Sequence, residues 1–172
     1  MIKILGITIG LYIFFEILSH GFAWYVVQFF KNAVVQDERK PRHLQFIRQT
    51  FYRLILILTI VLMSHWYTER TFSEQNDLIR FTWSIGFIVL ILFTIWWINA
   101  FIIRSVILKQ VQQQSVTHVF KQKIGYIMLH PKEFIHIYTD AEYLKKSVIM
   151  NHLLSILAFI ILFLDIQMLY TA

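Results

Sequence analysis

The chain has no cysteine and only two prolines among its 172 residues. The absence of cysteine excludes disulfides, thiolate metal sites and thiol catalysis. Pro41 and Pro131 both lie in polar stretches, so the apolar segments can form continuous helices, without the broken helices from which many transporters build ion sites. No complete motif for nucleotide binding, serine hydrolysis or zinc proteolysis occurs. The sequence therefore leaves open whether the protein is an enzyme.

Apolar residues, by contrast, are abundant: 58% of the chain is hydrophobic, against roughly 45–50% in soluble domains. Four apolar stretches approach or exceed the ~20 residues that a helix needs to cross a bilayer. Helices are expected because lipid cannot satisfy exposed backbone groups. We predict an all-α integral membrane protein, a four-helix bundle forming a single domain over residues 1–172. Its transmembrane helices are predicted at about residues 2–30, 47–67, 80–103 and 147–170.

The second span has the weakest apolar signal, because its strictly apolar run is only Leu54–Met63. It becomes long enough if the residues before it join the helix and Arg53 extends its guanidinium to the membrane surface. Trp66 and Tyr67 would then form an aromatic belt at the other surface.

The basic residues are distributed unequally between the connections. Residues 31–48 and 104–146 hold 12 of the 16 Lys and Arg residues, whereas residues 68–80 hold two, against three acidic residues. By the positive-inside rule, both termini lie outside (N-out/C-out), and connections 31–46 and 104–146 are cytoplasmic. The sequence pI near 9.6 follows from this topology, so no nucleic-acid partner is expected, and the lipid bilayer is the expected surrounding.

The first apolar stretch is too long for a removable signal peptide, and no A-x-A cleavage site follows it. We therefore interpret residues 2–30 as a retained span. A bacterial cell inner membrane fits this layout best, with an organellar membrane as the alternative.

The long connection after the third span contains apolar residues at spacings of three and four. This pattern predicts an amphipathic helix that either continues the third span or lies on the membrane surface. A docking face for a partner subunit is the other interpretation. The apolar positions are Val106, Ile107, Val111, Val116, Val119, Phe120 and Ile124.

An acidic residue, Glu16, lies in the middle of the first span. An ionised acid at this depth costs roughly 2.5–3.5 kcal/mol on insertion scales, so it should face protein or water. Tyr12 and His20 are four residues before and after it and share its side of the helix. This row either handles a proton, a ligand or a metal-binding imidazole, or it joins neighbouring helices by hydrogen bonds. Polar residues of the other spans that could meet it are Ser64, His65, Thr94, Asn99, Asn151, His152, Ser155 and Asp165.

Two of the histidines raise the question of a cofactor. His20 and His152 could ligate haem b between the first and fourth spans if helix tilt removed a depth offset of about 8 Å. Glu133 and His136 have the E-x-x-H spacing of di-iron bundles, but no second E-x-x-H occurs. No metal site is therefore predicted, and haem remains an alternative only.

The combined pattern favours a non-catalytic subunit, anchor or assembly partner of a larger membrane complex, with membrane-protein partner subunits. The first alternative is a haem- or quinone-linked redox protein that uses His20 and His152. The second is translocation of protons or other ions through Glu16.

Overall fold

The computed structural model of the chain describes residues 2–31, 40–114 and 124–171, and within these ranges it contains helices and no strand. The predicted all-α fold class is thereby confirmed. The helices are α1 (Ile2–Lys31), α2 (Lys40–Thr71), α3 (Asp77–Gln114), α4 (Ile124–Leu129), α5 (Ile135–Tyr138) and α6 (Ala141–Thr171).

Four of these helices, α1, α2, α3 and α6, are long and apolar enough to cross a membrane. They correspond to the four predicted spans, but α2 begins at Lys40 rather than at residue 47, and α3 continues to Gln114 rather than ending at residue 103. Hydropathy marks only the part of a helix that lipid can surround, whereas Lys, Arg and Gln continue a helix readily in water.

The predicted amphipathic segment is partly described. Its first part continues the third span as α3, in which Val106 and Ile107 are buried, and Ile124 opens α4. Val116, Val119 and Phe120 lie outside the described residues, as do residues 32–39 of the first predicted cytoplasmic connection.

The direction of each helix follows from its side-chain contacts. Asn151 bonds to Gln49 near the start of α2, and Met168 meets Thr71 at its end, so α2 and α6 run parallel. α1 and α3 run antiparallel to both. In the most apolar part of α6, 39% of the residues are buried inside the protein, against 11% in the most apolar parts of α1 and of α3. The core is therefore built around α6 and α2, and α1 and α3 pack on the outside.

The short helices α4 and α5 pack beside α3 and α6. Ile127 and Ile137 are fully buried there, and the phenol of Tyr138 donates a hydrogen bond to the carbonyl of Ile127 at 3.0 Å. Burial raises the pKa of Tyr138 to about 12, which keeps the phenol protonated as a donor. The chain between α3 and α6 is thus partly folded onto the bundle end.

Most large apolar side chains on the outer faces of the four long helices are exposed, as expected for helices surrounded by lipid. The outer face of α3 is the most aromatic of these surfaces. Its exposed rings are Phe81, Trp83, Phe87, Phe93, Trp96, Trp97 and Phe101.

Candidate functional site

The carboxylate of Glu16 lies where α1, α2 and α6 meet. Tyr12 donates a hydrogen bond to its Oε1 at 2.7 Å, and Tyr52 of α2 donates to its Oε2 at 2.6 Å. The hydroxyl of Ser155 on α6 also donates to Oε1 and contacts the Tyr12 hydroxyl. Three hydroxyls on three helices therefore replace the water that an acid would lose at this depth.

Small residues on α1 let the three helices approach closely at this level. Thr8, Ser19 and Ala23 lie on the same side of α1 as Tyr12, at helical spacing, and each is at most 1% exposed. Small side chains at helix interfaces permit close backbone approach inside membranes. They bring Tyr52 and Ser155 within reach of Glu16.

His20 is less enclosed than Glu16. Its Nδ1 lies 2.9 Å from the main-chain oxygen of Glu16, one turn earlier, and 3.3 Å from Oε2 of the same residue. The ring of His20 packs at a tilt against that of Tyr52, with 4.5 Å between the centroids. Because Nδ1 faces its own helix, Nε2 is the nitrogen that can reach a ligand.

A cavity of about 170 Å³ adjoins His20 and Tyr52, and Glu16 is not among its lining residues. His152 of α6 lines the same cavity, so the two histidines considered for a cofactor are brought together. The full lining is His20, Ala23, Arg48, Gln49, Tyr52, Val148, Asn151 and His152.

The side chain of Arg53 turns into the bundle at the level of this cavity. Its Nε donates to Oδ1 of Asn151 at 3.0 Å, and its Nη2 donates to the hydroxyl of Ser147. Nδ2 of Asn151 donates in turn to the carbonyl oxygen of Gln49 at 3.2 Å. Both acceptors lie near the start of α6, beside the start of the parallel helix α2. That Arg53 extends to the membrane surface stays a prediction.

The other polar residues considered for the site lie elsewhere. The hydroxyl of Thr94 donates to its own helix, and Asn99 accepts a hydrogen bond from Tyr143 at 2.9 Å. His65 pairs with Ser84 at 2.6 Å. Ser64 and Asp165 are buried towards the opposite end of the bundle from the cavity, and a side-chain oxygen of each is without a hydrogen-bond partner. Of the candidates on the other three spans, Ser155 reaches Glu16, and Asn151 and His152 line the cavity.

Two residues that the sequence analysis did not single out complete the site, Tyr52 and Gln49. Tyr52 could have been predicted from its depth. At about 1.5 Å per residue, Tyr52 and Glu16 lie at similar distances from the connection between α1 and α2. Gln49 has no comparable signal, since its burial depends on the packing of α2 against α6.

The E-x-x-H pair lies apart from this site. Glu133 accepts a hydrogen bond from Tyr126 at 3.3 Å, and His136 is in α5. Among the residues that the structure describes, no three His, Cys, Asp or Glu side chains come together as metal ligands.

Comparison of the chain with protein-family models, with curated proteins and with solved structures found no match. The assignment of function therefore rests on the geometry alone.

Proposed function

We propose that this chain is a small multi-pass membrane protein that acts as a non-catalytic subunit, anchor or assembly partner of a larger membrane complex. The supporting observation is the bonding of Glu16, whose two carboxylate oxygens receive hydrogen bonds from Tyr12, Tyr52 and Ser155. These bonds join α1, α2 and α6, as expected of a group that stabilises a bundle. An inner-membrane location with both termini outside belongs to the same proposal.

The aromatic outer face of α3 is the surface that we assign to the partner. Aromatic residues are enriched at protein interfaces, and α3 extends from the membrane-spanning part to Gln114. A partner could therefore contact α3 both within and beyond the bilayer.

Site-specific photo-crosslinking tests this assignment. A benzophenone amino acid at Phe93 on α3 should capture a membrane protein, whereas the same probe at Phe14 on α1 should capture lipid. The two positions match, since each is a phenylalanine that is 60% exposed. A monodisperse, monomeric protein with an activity of its own, and no crosslink at Phe93, would contradict the proposal.

One observation favours a second candidate, the redox protein, because His20 and His152 line one cavity. Its volume, about 170 Å³, is below the ~300–1,000 Å³ usual for cofactor and drug-sized ligands, so haem does not fit unless α1 and α6 separate. An absorption spectrum of protein purified from haem-replete cells decides this candidate. Absence of a Soret band removes its haem version.

Ion translocation through Glu16 needs a polar path in both directions from the carboxylate. Towards the far end of α2, the next core positions in the described part of the chain are Leu56 and Ile60, each fully buried, and Ala158 of α6 lies in the same core. This apolar layer separates Glu16 from Asp165. The alternative predicts flux in liposomes that Glu16→Gln abolishes, and absence of flux in wild-type liposomes removes it.

A further inference from the structure

The cavity beside His20 contains a buried amide with unmet hydrogen bonds. Gln49 is 5% exposed, and within the described part of the chain neither Oε1 nor Nε2 of its side chain has a hydrogen-bond partner. A buried polar group without partners costs about 1–3 kcal/mol, and such groups are rare in folded proteins. Gln49 lines the cavity, so a molecule bound there can supply both partners.

The charges around the cavity are positive. Arg48 lines it, and none of the described residues in its lining is acidic. The carboxylate of Glu16, which accepts a hydrogen bond from Tyr52 of the cavity wall, is already bonded to three hydroxyls. One helical turn from Gln49, Arg53 bonds to the neutral side chains of Asn151 and Ser147. A lining that includes the arginine Arg48 and, among the described residues, no carboxylate favours an anion.

The amide restricts the chemistry further. Its Nε2 donates and its Oε1 accepts, so the molecule that satisfies both must carry an acceptor oxygen and a donor. At a share of about 30 Å³ per water molecule, the cavity holds a phosphate group and a few attached atoms. A phosphate that carries a hydroxyl group supplies the negative charge, the acceptor oxygen and the donor that the cavity requires.

We propose that this cavity is a binding site for a phosphate anion that bears a hydroxyl group. Arg48, exposed at the rim, supplies the charge, and Gln49 at the buried wall bonds the phosphate oxygen and the hydroxyl. His20 of α1 lines the same cavity. Two sources share this chemistry: the glycerol phosphate headgroup of an anionic lipid and a free phosphate ion. The site does not depend on a partner subunit, so binding is measurable on the chain alone.

The test uses the full chain in two settings. In the first, nanodiscs of phosphatidylcholine are compared with nanodiscs that also contain phosphatidylglycerol. In the second, inorganic phosphate is titrated into protein in a neutral detergent. Thermal unfolding and native mass spectrometry report binding. A rise in Tm that occurs in the phosphatidylglycerol nanodiscs and not with inorganic phosphate assigns the lipid headgroup. A rise in Tm with inorganic phosphate assigns the free ion. Either result supports the site.

Variants separate this site from general attraction to anionic lipid. Arg48→Gln should weaken binding about tenfold, the loss of one charge-assisted contact. Arg42→Gln, an equal change of charge on the same helix outside the cavity, should bind as the wild type does. Gln49→Leu should also bind about tenfold more weakly, yet raise Tm without ligand, because the unpaired amide is gone.

Two outcomes would overturn the proposal. One is the absence, in both settings, of any Tm shift and of any retained ligand. Water would then supply the hydrogen-bond partners of the Gln49 amide. The other is Arg48→Gln binding indistinguishable from that of Arg42→Gln. Because Arg48 is on the exposed rim, its variant keeps the test decisive even if Gln49→Leu does not fold.

Discussion

The phenol of Tyr52 and the carboxylate of Glu16 lie on different helices, and their oxygens are 2.6 Å apart. Together with the hydroxyls of Tyr12 and Ser155, the phenol of Tyr52 satisfies the carboxylate of Glu16 in the middle of the apolar helix α1. The bonds join α1 to α2 and α6, so the effect of breaking them should appear first in the stability of the bundle.

We expect Tyr52→Phe to lower the free energy of unfolding by about 1–3 kcal/mol, since it leaves Oε2 of Glu16 without its donor from α2. Unfolding in a mixed detergent titration measures this change. Tyr25→Phe, at an exposed position of α1, is the matched control and should have little effect. Equal stability of the two variants would show that the hydroxyl of Tyr52 does not hold the helices together.

Arg53→Lys should destabilise the bundle by about 1 kcal/mol. An ammonium group is a single point of charge and cannot reproduce the fork by which the guanidinium reaches Asn151 and Ser147 together. The same titration measures the loss, with Arg104→Lys, at an exposed position of α3, as control. A variant as stable as the wild type would show that one of the two bonds suffices.

The apolar layer can be tested with two leucines of one helix. Leu56 is fully buried, whereas Leu58 is 59% exposed. Leu56→Ala should cost about 2–5 kcal/mol, because it leaves a cavity in packed protein. Leu58→Ala should cost much less, because lipid fills the space. Similar losses for both would mean that α2 packs through a different face.

The orientation can be tested directly because the chain has no cysteine. A single introduced cysteine is therefore the only thiol of this chain that a maleimide can label. We expect Ser73→Cys, between α2 and α3, to react with a membrane-impermeant maleimide on intact cells. Lys132→Cys, between α4 and α5, should react only after permeabilisation. The reverse pattern would show that the basic connections lie outside.

The sequence predicted the helices better than their contacts. Span positions depend on hydropathy, which is a local property, so four membrane-length helices could be predicted from the chain alone. The continuation of α3 beyond residue 103 was one of the two outcomes predicted for the amphipathic segment. The start of α2 at Lys40 was not predicted, because polar residues such as Lys and Arg continue a helix in water.

The site was predictable in part. Glu16, Tyr12 and His20 were found because their spacing within one helix places them together. The hydrogen bonds of Arg53 to Asn151 and Ser147 were not predicted, because nothing local indicates that α6 runs parallel beside α2. Gln49 was not predicted as a site residue for the same reason, because its burial depends on the packing of α6 against α2.

The position of Asn151, Ser147 and Ser155 on the last helix has a consequence for how the protein is made. The chain is synthesised from its N-terminus, so Glu16 and Arg53 enter the membrane before their partners on α6 exist. Until α6 inserts, Glu16 has hydrogen-bond donors only on α1 and α2, and Arg53 lacks both of its acceptors on α6. An unfinished chain thus exposes polar groups of α1 and α2 that the complete chain pairs with α6.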